Sequence, residues 1–228
     1  MPTMATRSGF ADLVPEQVRA ALLFGEVTPR RLWPREEAAV ADATSARRAE
    51  YRTTRECARA ALQDLGIPPT DIPTGEHREP IWPQGVVGSL THCVGARAAA
   101  VARAPDVRAL GIDIEPSRML PPGVLDVIAT EDETSMLQEL HHVDPTVPWE
   151  SVLFSAKESV FKAWFPLTGN WIGYTSCSVS IDSAAGAFST RFDGLTLGGH
   201  DALCDRDLVG KWRHREGFVF TAVHVPRG

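Results

Sequence analysis

The residues best suited to chemistry lie in two short segments of the chain. Residues 111–115 read GIDIE, and residues 154–164 read FSAKESVFKAW, which places Glu158 between Lys157 and Lys162. The chain has 20 arginines but only three lysines, of which Lys211 is the third. A lysine ammonium is a compact charge, whereas an arginine is a planar fork. Two of three lysines beside one glutamate therefore indicate a site that needs ammonium groups, and with the acidic segment they suggest binding of a divalent metal and phosphate.

The acidic segment has the alternation of a half-buried strand. Residues 110–115 alternate apolar and acidic side chains, and Pro116 ends the pattern. Side chains two apart on a strand share a face about 7 Å apart, so Asp113 and Glu115 are expected to face the same way. Neighbouring carboxylates repel unless a cation lies between them, and Mg²⁺ binds such oxygens together with water and substrate phosphate. An edge strand with two solvated acids is the alternative.

The lysine-containing segment is predicted to be a helix over residues 149–165, closed by Pro166. Glu158 and Lys162 are four residues apart and therefore neighbours on one helical face. An exposed ion pair of this kind contributes only about 0.3–0.5 kcal/mol, which is the structural alternative. If the helix packs beside the acidic strand, Glu158 becomes a third carboxylate that ligates the metal or acts as a base, and Lys162 holds a phosphate oxygen.

A second predicted helix carries a row of arginines. Its apolar stripe runs from residue 46 to residue 65, and Gly66 followed by two prolines marks its end. Spacings of three and four place four arginines on one face, namely Arg48, Arg52, Arg55 and Arg59. Such a row is either solvated or an anion-binding surface.

The composition narrows the class of protein. The 228 residues carry a formal net charge of −6, which argues against general nucleic-acid binding. The four cysteines form no C-x-x-C pair, which disfavours a zinc site and a disulfide framework. No secretory signal or run of about 18 apolar residues is visible. These features predict a cytoplasmic protein that neither binds nucleic acid nor enters a membrane.

The remaining pattern predicts an α+β fold. Strands are expected from residue 85 onward and over 175–181, 188–192 and 218–225, and helices over 122–129 and 132–142, while residues 96–104 fit either a strand or a helix. Two similar subdomains, each with a small sheet and a packed helix, are plausible. We place their boundary between residues 109 and 110.

Four segments together resemble a known family. They read ARRAEYRTTRECARAAL (46–62), GEHREPIWPQGVVGSLTH (75–92), GIDIE (111–115) and FSAKESVFK (154–162). Their order and spacing are similar to those of the 4′-phosphopantetheinyl transferases of the two-subdomain, Sfp/EntD-like type. The resemblance implies a pseudo-twofold fold with the active site between an N-terminal subdomain (1–109), on the side of the coenzyme A 3′-phosphate, and a C-terminal subdomain (110–228) that carries the metal.

The resemblance also implies a reaction. Such enzymes transfer 4′-phosphopantetheine from coenzyme A, their co-substrate, to a serine of an apo acyl or peptidyl carrier protein in fatty-acid, polyketide or nonribosomal peptide biosynthesis. They release adenosine 3′,5′-bisphosphate and use Mg²⁺, for which Mn²⁺ is expected to substitute. A protein built from two such halves is expected to be a monomer.

The resemblance assigns roles to individual residues. Asp113, Glu115 and Glu158 would bind Mg²⁺. Asp113 would also belong to the residues that bind coenzyme A. Glu158 would deprotonate the serine, and Lys162 would contact the pyrophosphate. The remaining contacts to coenzyme A are assigned to Arg48, Arg55, His77, Arg78, Thr91, His92 and Lys157. His77 departs from the family pattern, since many relatives carry lysine there, and Arg78 is expected to supplement it.

A carrier protein needs a docking surface, and two other functions remain open. We expect docking near residues 117–128, where Arg118 accompanies Met119, Leu120, Val124, Val127 and Ile128. A metal-dependent nuclease usually has a lysine two residues after its second acid, whereas Pro116 and Ser117 follow Glu115. A non-catalytic module that binds coenzyme A or a nucleotide is the other alternative, although binding alone would not require all three acids.

Overall fold

The computed structural model describes residues 5–6, 9–25, 32–192 and 208–227. These residues form an α+β structure, as the sequence predicts. The strands are β1 (Ala5–Thr6), β2 (Arg19–Phe24), β3 (Val86–Cys93), β4 (Ala96–Arg103), β5 (Val107–Pro116), β6 (Cys177–Asp182), β7 (Ala187–Phe192), β8 (Val209–Arg215) and β9 (Phe218–Pro226). The helices are α1 (Pro34–Ala38), α2 (Ser45–Asp64), α3 (Val124–Ile128), α4 (Glu131–Val143) and α5 (Trp149–Thr168), with a 3₁₀ turn at Tyr174–Ser176.

The described strands form two antiparallel sheets. The first has the order β1-β2-β4-β3, and the second has the order β5-β9-β8-β7-β6. Helix α2 packs on the first sheet, and α5 packs on the second sheet across β5 and β9. A shared apolar cluster joins the two sheets, with alanines of β4 on one side and Ile112, Ile114 and Phe220 on the other. Each sheet is therefore covered by a helix on one face and by the other sheet's residues elsewhere.

The alanine-rich segment 96–104, which the sequence left undecided, is the strand β4. It pairs with β2 on one side and with β3 on the other. Its side chains alternate between two clusters: Ala98 faces the second sheet, whereas Ala99 and Val101 face α2. Because both faces are buried, the strand lacks the apolar–polar alternation that identifies a one-sided strand. Small side chains let the neighbouring layers approach closely.

The edge strands of the two sheets, β3 and β5, meet through side-chain hydroxyls. The backbone N–H of Ile112 donates to Ser89 Oγ at 3.1 Å, and that of Ile114 donates to Thr91 Oγ1 at 3.3 Å. Hydroxyls of β3 thus satisfy backbone donors that an edge strand would otherwise expose. This contact holds the end of β3 beside the acidic half of β5.

Helix α2 agrees with its predicted bounds, whereas α5 extends beyond the predicted stop. The N-cap Thr44 accepts from Arg47 N–H at 3.3 Å, and Gly66 follows α2 with φ +76°. Pro166 was expected to end α5, but the helix continues to Thr168 and ends at Gly169, whose φ is +68°. Proline removes only its own hydrogen bond from the last turn, and Gly169 N–H still donates to Phe165 O at 2.8 Å. Strands β1, β2 and β8 and helix α1 were not predicted.

Candidate active site

The site forms where α5 crosses β5 at Gly111. A Cβ at residue 111 would lie 1.8 Å from Ser159 O and 2.9 Å from Ala163 N, so only glycine fits. The hydroxyl of Ser155 also contacts Thr221 Oγ1 at 2.9 Å, which ties α5 to β9. This backbone-to-backbone approach carries Glu158 and Lys162 to the acidic end of β5.

Asp113 is the centre of the site. Its side chain is nearly buried, at 4 % exposure, and Oδ1 accepts from Lys162 Nζ at 2.6 Å and from Thr91 Oγ1 at 2.9 Å. Its second oxygen, Oδ2, is buried without a hydrogen-bond partner among the described residues. A buried carboxylate oxygen without a partner is costly and calls for an explanation such as an ion or water. The predicted coenzyme A contact of Thr91 is not supported, because its buried hydroxyl is engaged by Asp113 and Ile114.

Three acidic side chains and one lysine interact at the site, so the acidic groups outnumber the basic one. Burial raises the pKa of Glu115 to about 8, and the nearby Asp113 and Glu158 raise it further against the effect of Lys162. Desolvation alone would lower the pKa of Lys162, but Asp113, Glu158 and Glu115 together raise it. Lys162 is therefore a stable cation that only partly neutralises three carboxyl groups.

Glu115 interacts electrostatically with both Asp113 and Glu158, but the three acids do not form a finished metal site. Within the described ranges, no three His, Cys, Asp or Glu side chains are arranged so that they could hold a metal ion as they stand. The Lys162 ammonium occupies Asp113 Oδ1 instead, and it also donates to Ile112 O at 3.3 Å. Binding of a divalent ion here requires side-chain rearrangement.

Tyr174 is a residue that the sequence analysis did not identify. Its hydroxyl donates to Glu158 Oε1, and its ring lies against Phe154 and Phe161. Burial, the hydrogen bond to Glu158 and the neighbouring acids raise the pKa of Tyr174, so the hydroxyl remains a donor. Sixteen residues separate Tyr174 from Glu158, and no periodic pattern links them, so spacing gave no signal.

Lys157 does not line the site, which corrects its assignment to coenzyme A. It is fully buried, and Nζ donates to Ile128 O at 2.7 Å, Tyr174 O at 2.7 Å and Glu133 Oε2 at 2.8 Å. An ammonium has three N–H donors, and all three are used. Consecutive residues of a helix point about 100° apart, so Lys157 faces the core while Glu158 faces the acids.

The arginine row on α2 is mainly structural. Arg55 is buried, and it donates to Ile72 O at 2.9 Å and to Tyr51 Oη at 3.0 Å. Arg48 and Arg52 meet Glu37, and Arg59 donates to the fully buried Glu36 at 2.8 Å; these two acids both belong to α1. The predicted contacts of Arg48 and Arg55 to coenzyme A are not supported by this arrangement. Glu37 of α1, a helix that the sequence did not reveal, engages Arg48. Arg55 is engaged by Ile72 O, Tyr51 Oη and Thr74 Oγ1.

Arg47, which lies outside that row, has the position expected of an anion ligand. Its guanidinium donates to His92 Nε2, and half of its side chain is exposed. Partial burial lowers the pKa of His92, and Arg47, Lys162 and Arg97 add to this effect against Glu50. Lys162 is among the groups that lower the pKa of His92, and the contact of His92 with coenzyme A stays a prediction.

His77 and Arg78 lie on an exposed turn that approaches the end of α5. The His77 ring meets the ring of Phe165 edge-on at 5.4 Å, and Phe165 contacts Trp171, which is 63 % exposed, at 5.0 Å. Arg78 has φ +68° and donates its N–H to Gly75 O at 3.1 Å. Both side chains are exposed, as an anion contact would require, and His77 lies beside the helix that carries Lys162.

None of the described helices is both long enough and apolar enough to cross a lipid bilayer.

Comparisons with known proteins identify similar sequences over most of the chain. Residues 35–102 match the family model of the 4′-phosphopantetheinyl transferase N-terminal domain, and residues 109–222 match that of the 4′-phosphopantetheinyl transferase superfamily. The 4′-phosphopantetheinyl transferase Svp of Streptomyces mobaraensis is 46 % identical over 85 % of this chain and 78 % of its own length. PptT of Mycobacterium tuberculosis is 40 % identical over 93 % and 96 %, and Npt of Nocardia iowensis is 40 % identical over 92 % and 97 %. Both carry the same description as Svp.

Proposed function

The chain belongs to the 4′-phosphopantetheinyl transferase superfamily, and we propose how its site performs such a transfer. The phosphopantetheine arm moves from coenzyme A to a serine hydroxyl of an apo acyl or peptidyl carrier protein, and adenosine 3′,5′-bisphosphate leaves. The observation that carries this proposal is the meeting of Asp113, Glu115, Glu158 and Lys162 where α5 crosses β5. Carboxylates beside a lysine suit phosphoryl-type transfer, which depends on charge neutralisation and positioning.

The oxygen donors of these residues suit Mg²⁺ once their side chains rearrange. Asp113 Oδ2 is a buried oxygen without a partner in the described chain, and Asp113 and Glu158 both lie close enough to Glu115 to raise its pKa. Hard oxygen donors of this type are those that Mg²⁺ and Mn²⁺ prefer. Asp113, Glu115 and Glu158 would hold the ion, which would neutralise charge on the pyrophosphate of coenzyme A.

The chain's own residues then divide the remaining work. Glu158 accepts the proton of the attacking serine, since a hydroxyl is a weak nucleophile until a base removes its proton. Lys162, held next to Asp113 by a 2.6 Å ion pair, is the cation that meets the pyrophosphate. Thr91 orients Asp113 through its hydroxyl.

The 3′-phosphate end of coenzyme A is proposed to bind beside α2 and the β3–β4 hairpin. Arg47 and His92 contact one another there, and Arg47 is half exposed. A guanidinium is suited to phosphate because its donors form a fixed fork. Arg78 and His77 would approach the substrate from the adjacent turn.

We propose that the residues for coenzyme A and those for the metal belong to two similar halves of the chain, 1–109 and 110–228. A pseudo-twofold axis would relate the halves, and the site would lie between them. β5 runs from Val107 to Pro116, so the proposed boundary falls near the start of this strand. Hydroxyls of β3 and acids of β5 come from different halves and meet at the site. One chain then supplies both sides of the site, and we propose that it acts as a monomer.

The carrier protein is proposed to dock along the segment that follows β5. Met119 is 81 % exposed and Val127 is 66 % exposed, and Arg118 is exposed beside them. Ile128, expected on this surface, is instead buried, and its carbonyl accepts from Lys157. We propose that the enzyme works in the cytoplasm, where a buried cysteine such as Cys57 stays a reduced thiol.

Intact-mass analysis of an apo carrier protein tests the reaction. The carrier is incubated with coenzyme A and enzyme, in Mg²⁺ or in excess chelator. We expect a mass gain of one phosphopantetheine group with Mg²⁺ and no gain with chelator. No gain on several acyl and peptidyl carriers would contradict the proposed transfer and favour a binding module.

A further inference from the structure

Tyr174 holds the Glu158 carboxylate from a separate part of the chain. The tyrosine opens the 3₁₀ turn before β6, and its hydroxyl donates to Glu158 Oε1. Its ring centroid lies 5.0 Å from that of Phe161 and 6.2 Å from that of Phe154. These phenylalanines stand three residues after and four residues before Glu158, so the ring packs along the face of α5 that carries the glutamate.

The backbone of Tyr174 is fixed by the residue that precedes Glu158. Lys157 Nζ donates to Tyr174 O at 2.7 Å, and the same ammonium contacts Glu133 at 2.8 Å. Glu133 also accepts from Val179 N–H at 2.8 Å and Thr130 N–H at 2.8 Å. The buried ion pair is thus fully hydrogen-bonded, which is the condition under which such a pair is rigid. Adjacent residues of α5 therefore fix both ends of Tyr174.

This arrangement limits the orientation of the carboxylate. The last torsion of a glutamate side chain has a broad distribution, so packing alone does not define where its oxygens point. A hydroxyl that is itself immobilised and bonded to Oε1 selects one orientation. No described hydrogen bond joins Tyr174 to Asp113 or Lys162, whereas its hydroxyl is bonded directly to Glu158.

We propose that Tyr174 is a positioning residue for the reaction: it sets the orientation of Glu158, and the Lys157–Glu133 pair holds Tyr174 in place. The inference rests on the proposed function, because it assumes that Glu158 accepts the serine proton. Misplacing a reacting group by about 1 Å costs up to about 100-fold in rate. Loss of the hydroxyl should therefore lower turnover without weakening substrate binding.

The test is Tyr174→Phe, which removes one oxygen and retains the ring. We expect kcat for carrier modification to fall about tenfold or more, the KM for coenzyme A to stay within about twofold, and the melting temperature to change little. A kcat within twofold of wild type would overturn the proposal. So would a loss of kcat matched by a rise in the KM for coenzyme A.

Tyr51→Phe is the matched control, since Tyr51 is the chain's other tyrosine. Its hydroxyl is also hydrogen-bonded, to Thr74 Oγ1 at 2.9 Å, but it lies in the first half of the chain. We expect Tyr51→Phe to cost stability and leave kcat within twofold. An equal loss of kcat in both variants would indicate a general packing effect and contradict the inference.

A double-mutant cycle tests whether Tyr174 acts through Glu158. In a Glu158→Gln background, adding Tyr174→Phe should change the residual rate less than twofold. A second tenfold loss would show an action independent of Glu158 and overturn the proposal. The rate of the wild-type enzyme decides the proposed function, whereas the ratios between variants decide the role of Tyr174, so the two can fail separately.

Discussion

Lys162 Nζ lies 2.6 Å from Asp113 Oδ1, and this ion pair joins the helix and the strand that build the site. It forms because Gly111 lets α5 rest directly on the backbone of β5. The lysine partly neutralises a group of acids whose combined charge favours binding a further cation. The following predictions test that arrangement.

Glu158→Gln should lower turnover by about 10²–10⁴, the range for loss of a general base, while coenzyme A still binds. Carrier modification is followed by intact mass, and coenzyme A binding by calorimetry. Glu150→Gln, two turns away on the same helix, is the control and should retain the wild-type rate. A near-normal rate for Glu158→Gln would remove this residue from the role of base.

Asp113→Asn should lower activity at least 100-fold but should not destabilise the metal-free protein. The change removes one charge from a crowded acidic group, and active sites often sacrifice stability for function. Mg²⁺ should raise the melting temperature of the wild-type protein, because a ligand that binds only the folded state stabilises it. The same ion should not stabilise Asp113→Asn. An equal Mg²⁺ effect on both proteins would place the ion elsewhere.

Stability should depend on pH through Glu115, whose pKa is raised from 4.5 to about 8 by burial and by the nearby acids. The folded protein then binds more protons at this group than the unfolded chain does, so the group's contribution to stability is lost as pH rises from 4.5 to about 8. Without divalent cation, wild type should lose melting temperature relative to Glu115→Gln between pH 5 and pH 8, the ends of roughly this window. Parallel pH profiles for the two proteins would contradict this assignment.

Lys157→Met should lower the free energy of unfolding by about 3–5 kcal/mol, because it leaves Glu133 as an unpaired buried charge. Urea unfolding measures the effect. Adding Glu133→Gln should recover part of the loss, since the two residues are in direct contact and their effects are not additive. If the double variant is less stable than Lys157→Met, the pair is not the source of the stability.

Arg47→Ala should raise the KM for coenzyme A about tenfold, as expected for loss of a charged hydrogen bond to phosphate. Dephospho-coenzyme A, which lacks the 3′-phosphate, should show little difference between Arg47→Ala and wild type. The same comparison is made with Arg48→Ala, whose side chain meets Glu37. A larger effect at Arg48 than at Arg47 would favour the assignment made from sequence.

The sequence pattern was sufficient to predict which acids and which lysine form the centre of the site. It was not sufficient to predict the residues that surround them. Alternation placed Asp113 opposite Ile112, and a spacing of four placed Glu158 beside Lys162; both relationships are local and follow from strand and helix geometry. Ile72, which accepts from Arg55, and the partners of Lys157 and Tyr174 come from segments distant in the sequence, which periodicity does not relate. The arginine row is the clearest example. The spacing of the arginines in α2 does not indicate that acids of α1 bind three of them.

The most direct test of the account is a Mn²⁺ titration followed by electron paramagnetic resonance, in the presence of coenzyme A. Wild-type protein should bind one Mn²⁺ ion per chain, and Asp113→Asn and Glu158→Gln should each bind it much more weakly. Equal binding by all three proteins, or no binding by the wild type, would contradict a cation site built from β5 and α5.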